Sequence, residues 1–88
     1  MRMETRARIA WNLRHYRSAQ KLTQENLAVD ARVDRTVISD LERGQYNISI
    51  DLLDRLANAL SIDVSQLFSE PSAGDKPQPM KAGRKPKA

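Results

Sequence analysis

The chain has 88 residues, with 15 Lys and Arg against 11 Asp and Glu, a formal charge of +4, and no cysteine. That length allows one small domain with a modest core, and the missing thiols exclude a disulfide-stapled secreted scaffold. No apolar run is long enough for a membrane span and no apolar stretch follows the basic N-terminus, so a cytoplasmic protein without a signal peptide is expected.

The location of the charge is more informative than its sum. Residues 1–70 set ten basic against ten acidic side chains, whereas 71–88 set Lys76, Lys81, Arg84, Lys85 and Lys87 against Asp75 alone. Within the first 70, residues 1–43 carry nine positive and six negative charges and residues 44–70 one and four. One part of the domain suits a polyanion and the other does not.

From Glu4 to Phe68 apolar residues recur at helical spacing, with no competing strand-like alternation, which predicts an all-α fold. A first helix over about Glu4 to Ala19 brings Ile9, Leu13 and Tyr16 to one face with Trp11 beside them. Thr23 can cap a second helix, which presents Leu27, Ala28 and Ala31. Asp34 is expected to cap a third, which presents Val37, Ile38 and Leu41 and ends at Gly44. Ser49 caps a fourth carrying Leu52, Leu53, Leu56, Ala57 and Leu60. Asp63 and Gln66 have the spacing of a capping box, predicting a short fifth helix. Beyond Glu70 all four prolines and a run of lysines appear, and residues 71–88 read as a flexible basic tail with too little apolar surface to order itself. In that tail Lys85 separates Arg84 from Pro86, so loose electrostatic attraction or a solubilising role is expected rather than insertion into the minor groove.

Residues 24–43 have the pattern of two helices meeting at a sharp corner. Ala28 is small enough for the backbones to approach, and Leu27, Ala31, Val33, Ile38 and Leu41 fall inside the bend. Arg35, Thr36, Ser39, Asp40 and Arg43 are left outside on the third helix. A stripe of donors and acceptors on the first turns of a helix is what reading base edges in the major groove requires.

On these residues the chain resembles the phage repressor and Cro-like (XRE-like) class of helix-turn-helix transcription regulators. The resemblance rests on "LTQENLA" at 22–28, "ISDLERG" at 38–44 and "SIDLLDRLANALSIDVSQLF" at 49–68. The stretch "DRTVISDLERGQYNISI" further resembles controller proteins of restriction-modification systems, which act as dimers on paired half-sites. The resemblance implies a compact five-helix, lambda-repressor-like domain over residues 1–70, with the helix-turn-helix at 24–43 and the basic tail at 71–88.

It also implies roles. Thr23 and Gln24 would lie at the DNA backbone, where the start of a helix favours a phosphate. Arg35 would take the first reading position, able to grip guanine with two bonds. Thr36 and Ser39 would approach bases or phosphates, and Arg43, Gln45, Tyr46 and Asn47 would hold phosphates in the following turn. Arg17 and Glu42 would form a half-buried ion pair between the first and third helices. Leu60, Ile62, Val64, Leu67 and Phe68 could finish the core, and any of them left exposed would supply the two-fold dimer surface that the family uses.

Two positions depart from the family pattern. Arg32 stands where glycine is usual, so a left-handed backbone there would cost roughly 1 kcal/mol or the turn would relax. Asp40 puts a carboxylate on the face expected to meet DNA, where it would be repelled unless it accepts from a cytosine amine or orients Arg35 or Arg43. His15 is expected to be an exposed histidine rather than a metal ligand. No catalytic constellation is visible, so neither an enzyme nor a cofactor or metal is expected.

The expected function is sequence-specific binding to double-stranded DNA as a homodimer on a roughly palindromic operator, regulating transcription in the nucleoid. The alternative is a module whose main partner is a protein, as an antitoxin binds a toxin or an adaptor binds RNA polymerase, with Glu25 and Asp30 as the acidic contacts.

Overall fold

The computed structural model describes residues 3–71 as four α-helices and one 3₁₀ turn: α1 (Thr5–Ala19), α2 (Gln24–Ala31), α3 (Arg35–Glu42), α4 (Ile50–Leu60) and the turn Val64–Leu67. There is no strand among the described residues. The helices pack around one core in which Leu13, Leu27, Ile38, Leu56, Leu60 and Leu67 are completely enclosed. The basic tail read from the sequence lies outside the described residues, apart from Pro71.

Local chemistry sets where each helix starts. The Thr23 hydroxyl accepts from the amide of Asn26 at 2.9 Å, and the Ser49 hydroxyl accepts from that of Leu52 at 3.1 Å. Each satisfies an amide that the first turn leaves free. Asp34 occupies the capping position of α3 with extended backbone, but its side chain makes no capping bond, which corrects the sequence expectation. Its carboxylate stays in solvent.

Helix termination follows one rule repeated four times. After α1, α2, α3 and α4 the chain turns through a left-handed residue, Lys21 (φ 59°), Arg32 (φ 59°), Gly44 (φ 72°) and Ser61 (φ 57°). The next amide then reaches back five residues: Leu22 to Arg17 (3.0 Å), Val33 to Ala28 (2.9 Å), Gln45 to Asp40 (2.9 Å) and Ile62 to Ala57 (3.0 Å). This is the Schellman arrangement, which satisfies carbonyls at the helix end and usually brings an apolar contact with it. Leu22, Val33 and Ile62 provide that contact by packing against the core. At Arg32 the left-handed turn is therefore adopted rather than relaxed, and the anchoring of Val33 offsets its cost.

The predicted fifth helix is a single 3₁₀ turn. Its cap forms as read: Asp63 accepts from the amide of Ser65 at 3.0 Å, and the Gln66 carbonyl accepts from the amide of Asp63 at 3.0 Å. The hydroxyl and amide of Ser65 hold the exposed Asp63 carboxyl below its ordinary pKa. Their contribution to stability is present at neutral pH and is lost as the pH falls through the folded value. Pro71 has no amide hydrogen to give the carbonyl of Leu67, which residue 71 of a longer α-helix would satisfy. The buried Asn12 of α1 takes that carbonyl instead at 3.0 Å, and also the carbonyl of Ser69 at 2.7 Å.

Of the five apolar residues left open between core and dimer surface, two belong to the core and are removed from the dimer set. Leu60 and Leu67 are 0% exposed, because α4 packs on α2 while the 3₁₀ turn packs on α1 and α4, and together they complete the protein's own core. His15 is likewise half-buried rather than exposed: its ring stacks on that of Trp11, with centroids 4.8 Å apart, and meets the edge of Tyr16 at 5.1 Å. Bonds from other helices finish the ends, with Arg55 donating to the carbonyl of Ala31 at 2.8 Å and Gln20 to that of Leu60 at 2.7 Å.

Replacing Asn12 with Ala leaves two carbonyls without their donor and should lower stability in urea unfolding by about 1–3 kcal/mol. Arg32→Gly removes the left-handed penalty and should raise stability by about 1 kcal/mol; a loss would show that the turn does not hold Arg32 in that conformation.

Candidate nucleic-acid interface

The corner between α2 and α3 is built on a buried carboxylate. Glu42, in the last turn of α3, has a side chain only 5% exposed. Arg17 of α1 donates through Nε to Oε2 at 2.5 Å and through Nη2 to Oε1 at 3.0 Å, and Gln24 at the start of α2 donates to Oε1 at 3.1 Å. Arg17 also donates to the carbonyl of Leu22 at 2.8 Å. Three helices are thus tied to one carboxylate by charge-assisted bonds, two of them from the planar fork of an arginine.

That junction determines which side of α3 is free. Ile38, Leu41 and Glu42 are buried and Val37 packs against the core, whereas Arg35 and Thr36 are exposed and Ser39 and Asp40 half-exposed. Arg35 has no ion-pair partner among the described residues. Its guanidinium stands at the first helical position of α3, where the helix dipole is positive. The N-terminal turn of α3 therefore presents a free guanidinium and a hydroxyl to solvent, beside the exposed carboxylate of Asp34.

The other candidate residues occupy distinct places around it. Thr23 is exposed, with its oxygen accepting the α2 cap and its hydroxyl hydrogen free to donate. Gln24 is half-buried, and one amide hydrogen is used by Glu42, which leaves the second hydrogen and its oxygen for an outside partner. Gln45 and Asn47 are exposed beyond α3. Tyr46 is half-buried, and its ring lines an apolar cleft of about 250 Å³ with Ile9, Leu41, Ile48, Leu53 and Phe68. Arg43 is exposed but engaged, donating to Ser39 Oγ at 2.7 Å and pairing with Asp40.

The resemblance also implied that Gln24 braces the third helix, but sequence reading did not name Glu42 as its partner, because residues 18 apart come together only through the helix corner. The Asp40–Arg43 pair did have a signal, since residues three apart share a helix face. Val29 and Ile50, 73% and 76% exposed, were not singled out because their apolar character fits the core pattern. No group of His, Cys, Asp and Glu among the described residues could hold a metal ion, and no described helix is long and apolar enough to cross a membrane.

Glu42→Ala should cost about 3–5 kcal/mol in denaturant unfolding, because it strands the largely buried Arg17 guanidinium. The double variant Arg17→Met, Glu42→Leu should recover most of that loss. Equal losses from the single and double variants would mean that the carboxylate contributes packing only.

Comparison with known proteins agrees with this geometry. The helix-turn-helix family model matches residues 13–67. The chain is 35% identical over 68 residues to a hypothetical transcription factor of Neisseria meningitidis serogroup B, covering 77% of this chain and 64% of that protein. It is 37% identical over 62 residues to the immunity repressor protein of Bacillus phage phi105, covering 70% of this chain and 43% of the repressor. The chain thus spans less than two thirds of the length of both relatives. Among solved structures, the restriction-modification controller protein C.AhdI of Aeromonas hydrophila superposes with a TM-score of 0.70 at 38% identity, covering 72% of this chain and 96% of C.AhdI. With its corner, buried junction and outward helix in place, the chain belongs to the XRE-like helix-turn-helix family of DNA-binding transcription regulators.

Proposed function

We propose that the protein binds double-stranded DNA sequence-specifically by laying α3 in the major groove, and that it does so as a homodimer regulating transcription. The observation that carries this reading is the exposed Arg35 and Thr36 on the first turn of a helix whose opposite end is fixed by Glu42. Arg35 reads a guanine through O6 and N7, Thr36 meets a thymine methyl or a phosphate, and Ser39 allows close approach. Thr23, Gln24, Arg43, Gln45, Tyr46 and Asn47 hold the backbone on either side. The likeness to an immunity repressor and to a restriction-modification controller supports a regulatory role.

Dimerisation uses what the core leaves exposed. Ile62 and Val64 are half-buried and Phe68 is 37% exposed, so these three, without Leu60 and Leu67, form the proposed two-fold surface. Two copies would then place their α3 helices in successive major grooves, about 34 Å apart, on a roughly palindromic site.

A second reading is supported by Val29, which lies exposed between the exposed carboxylates Glu25 and Asp30 on α2. An apolar residue flanked by acids suits a basic protein surface, such as RNA polymerase bound beside the DNA.

Selection from a random duplex pool should enrich one motif of paired half-sites, and enrichment of none would refute the DNA reading. On the enriched duplex Arg35→Ala should cost about 1–3 kcal/mol and relax preference at one base pair per half-site. Phe68→Asp should shift sedimentation from dimer to monomer while the helical signal is kept; a dimer unaffected by it would place the interface elsewhere.

A further inference from the structure

The face of α3 that would meet DNA is partly engaged with itself. Arg43 donates through Nη1 to Ser39 Oγ at 2.7 Å and through Nη2 to Asp40 Oδ1, so one guanidinium spans a hydroxyl and a carboxylate on a single helical edge. Both members of the ion pair are open to solvent, with side chains 56% and 40% exposed. Resting on the DNA-binding reading above, we propose that Asp40 determines specificity by restraint: it holds Arg43 back from phosphates and so weakens binding to any duplex that offers no donor to replace it.

The chemistry of the three groups gives this its direction. A carboxylate only accepts, and a phosphate also only accepts. A phosphate that draws the Nη donors of Arg43 away leaves Asp40 unpaired against a polyanion. In the major groove only the amino groups of cytosine and adenine can donate to it. A duplex with such an amine at the right step restores the partner and releases Arg43, whereas other sequences leave the carboxylate repelled. An exposed pair of this kind is weak enough in water to open on contact. It can therefore act as a filter without blocking binding.

The test compares wild type, Asp40→Asn, Arg43→Ala and the double variant, by anisotropy on the duplex that wild type enriches and on a scrambled duplex, across a salt series. Asp40→Asn should tighten scrambled binding several-fold and steepen its salt dependence by about one phosphate contact. It should also narrow the preference for the enriched duplex about tenfold. The double variant should lose the gain, because the freed Arg43 produces it. Unchanged or weaker scrambled binding by Asp40→Asn, with wild type still preferring its own duplex, overturns the inference alone. Failure of wild type to prefer any duplex overturns both it and the functional reading beneath it. Thermal melting of each variant checks the fold, which this exposed pair should leave intact.

Discussion

A buried carboxylate with three donors governs the arrangement of this molecule. Glu42 is removed from water, which is unfavourable for a charge unless its oxygens are filled. Arg17 and Gln24 fill them from two other helices. The same three bonds that make the burial tolerable also fix the register of α3 against α1 and α2. Apolar packing alone would tolerate some rotation of an eight-residue helix, whereas bidentate geometry to a planar guanidinium constrains its direction. The orientation of the exposed edge is thus a consequence of what happens on the hidden one.

The two sides of α3 are built on different principles. Inside, Ile38 and Leu41 are enclosed and Glu42 is saturated, so little can move. Outside, Arg35 and Thr36 are open to solvent and Arg43 is engaged only by the half-exposed Ser39 and Asp40. A rigid frame carrying adaptable side chains suits recognition, because the frame limits the entropy lost on binding while the side chains can exchange partners. Gln24 belongs to both sides, with one amide hydrogen directed inward and its remaining capacity outward.

Much of this was legible in the chain itself. The caps at Thr23, Ser49 and Asp63 and the inward set of α3 could be read from spacing and side-chain chemistry, since they depend on residues within a turn or two of each other. What escaped depends on distant partners. At the last segment Pro71 offers the carbonyl of Leu67 no donor, and Asn12, 55 residues from Leu67, takes it instead. Leu60 and Leu67 could not be assigned to core or dimer surface, because apolar residues near the end of a domain look alike whether they close its core or face a partner. Asp34 has the right residue type for a cap and does not use it. The left-handed ends at Lys21 and Ser61 could not be seen in residue types chosen for other reasons, and the one at Arg32 was legible only as one of two alternatives; the apolar residue that follows each of them was the available clue.

The most direct measurement of the central claim is an NMR titration of the labelled protein with the duplex it selects, following backbone amides and the Arg17 side-chain Nε–H together. Perturbations should concentrate at residues 23–24 and 35–47, while the Arg17 Nε–H stays protected from exchange because its bond to Glu42 persists in the complex. Perturbations centred elsewhere, or loss of that protection on binding, would contradict an account in which the buried junction holds the exposed edge of α3 in place for DNA.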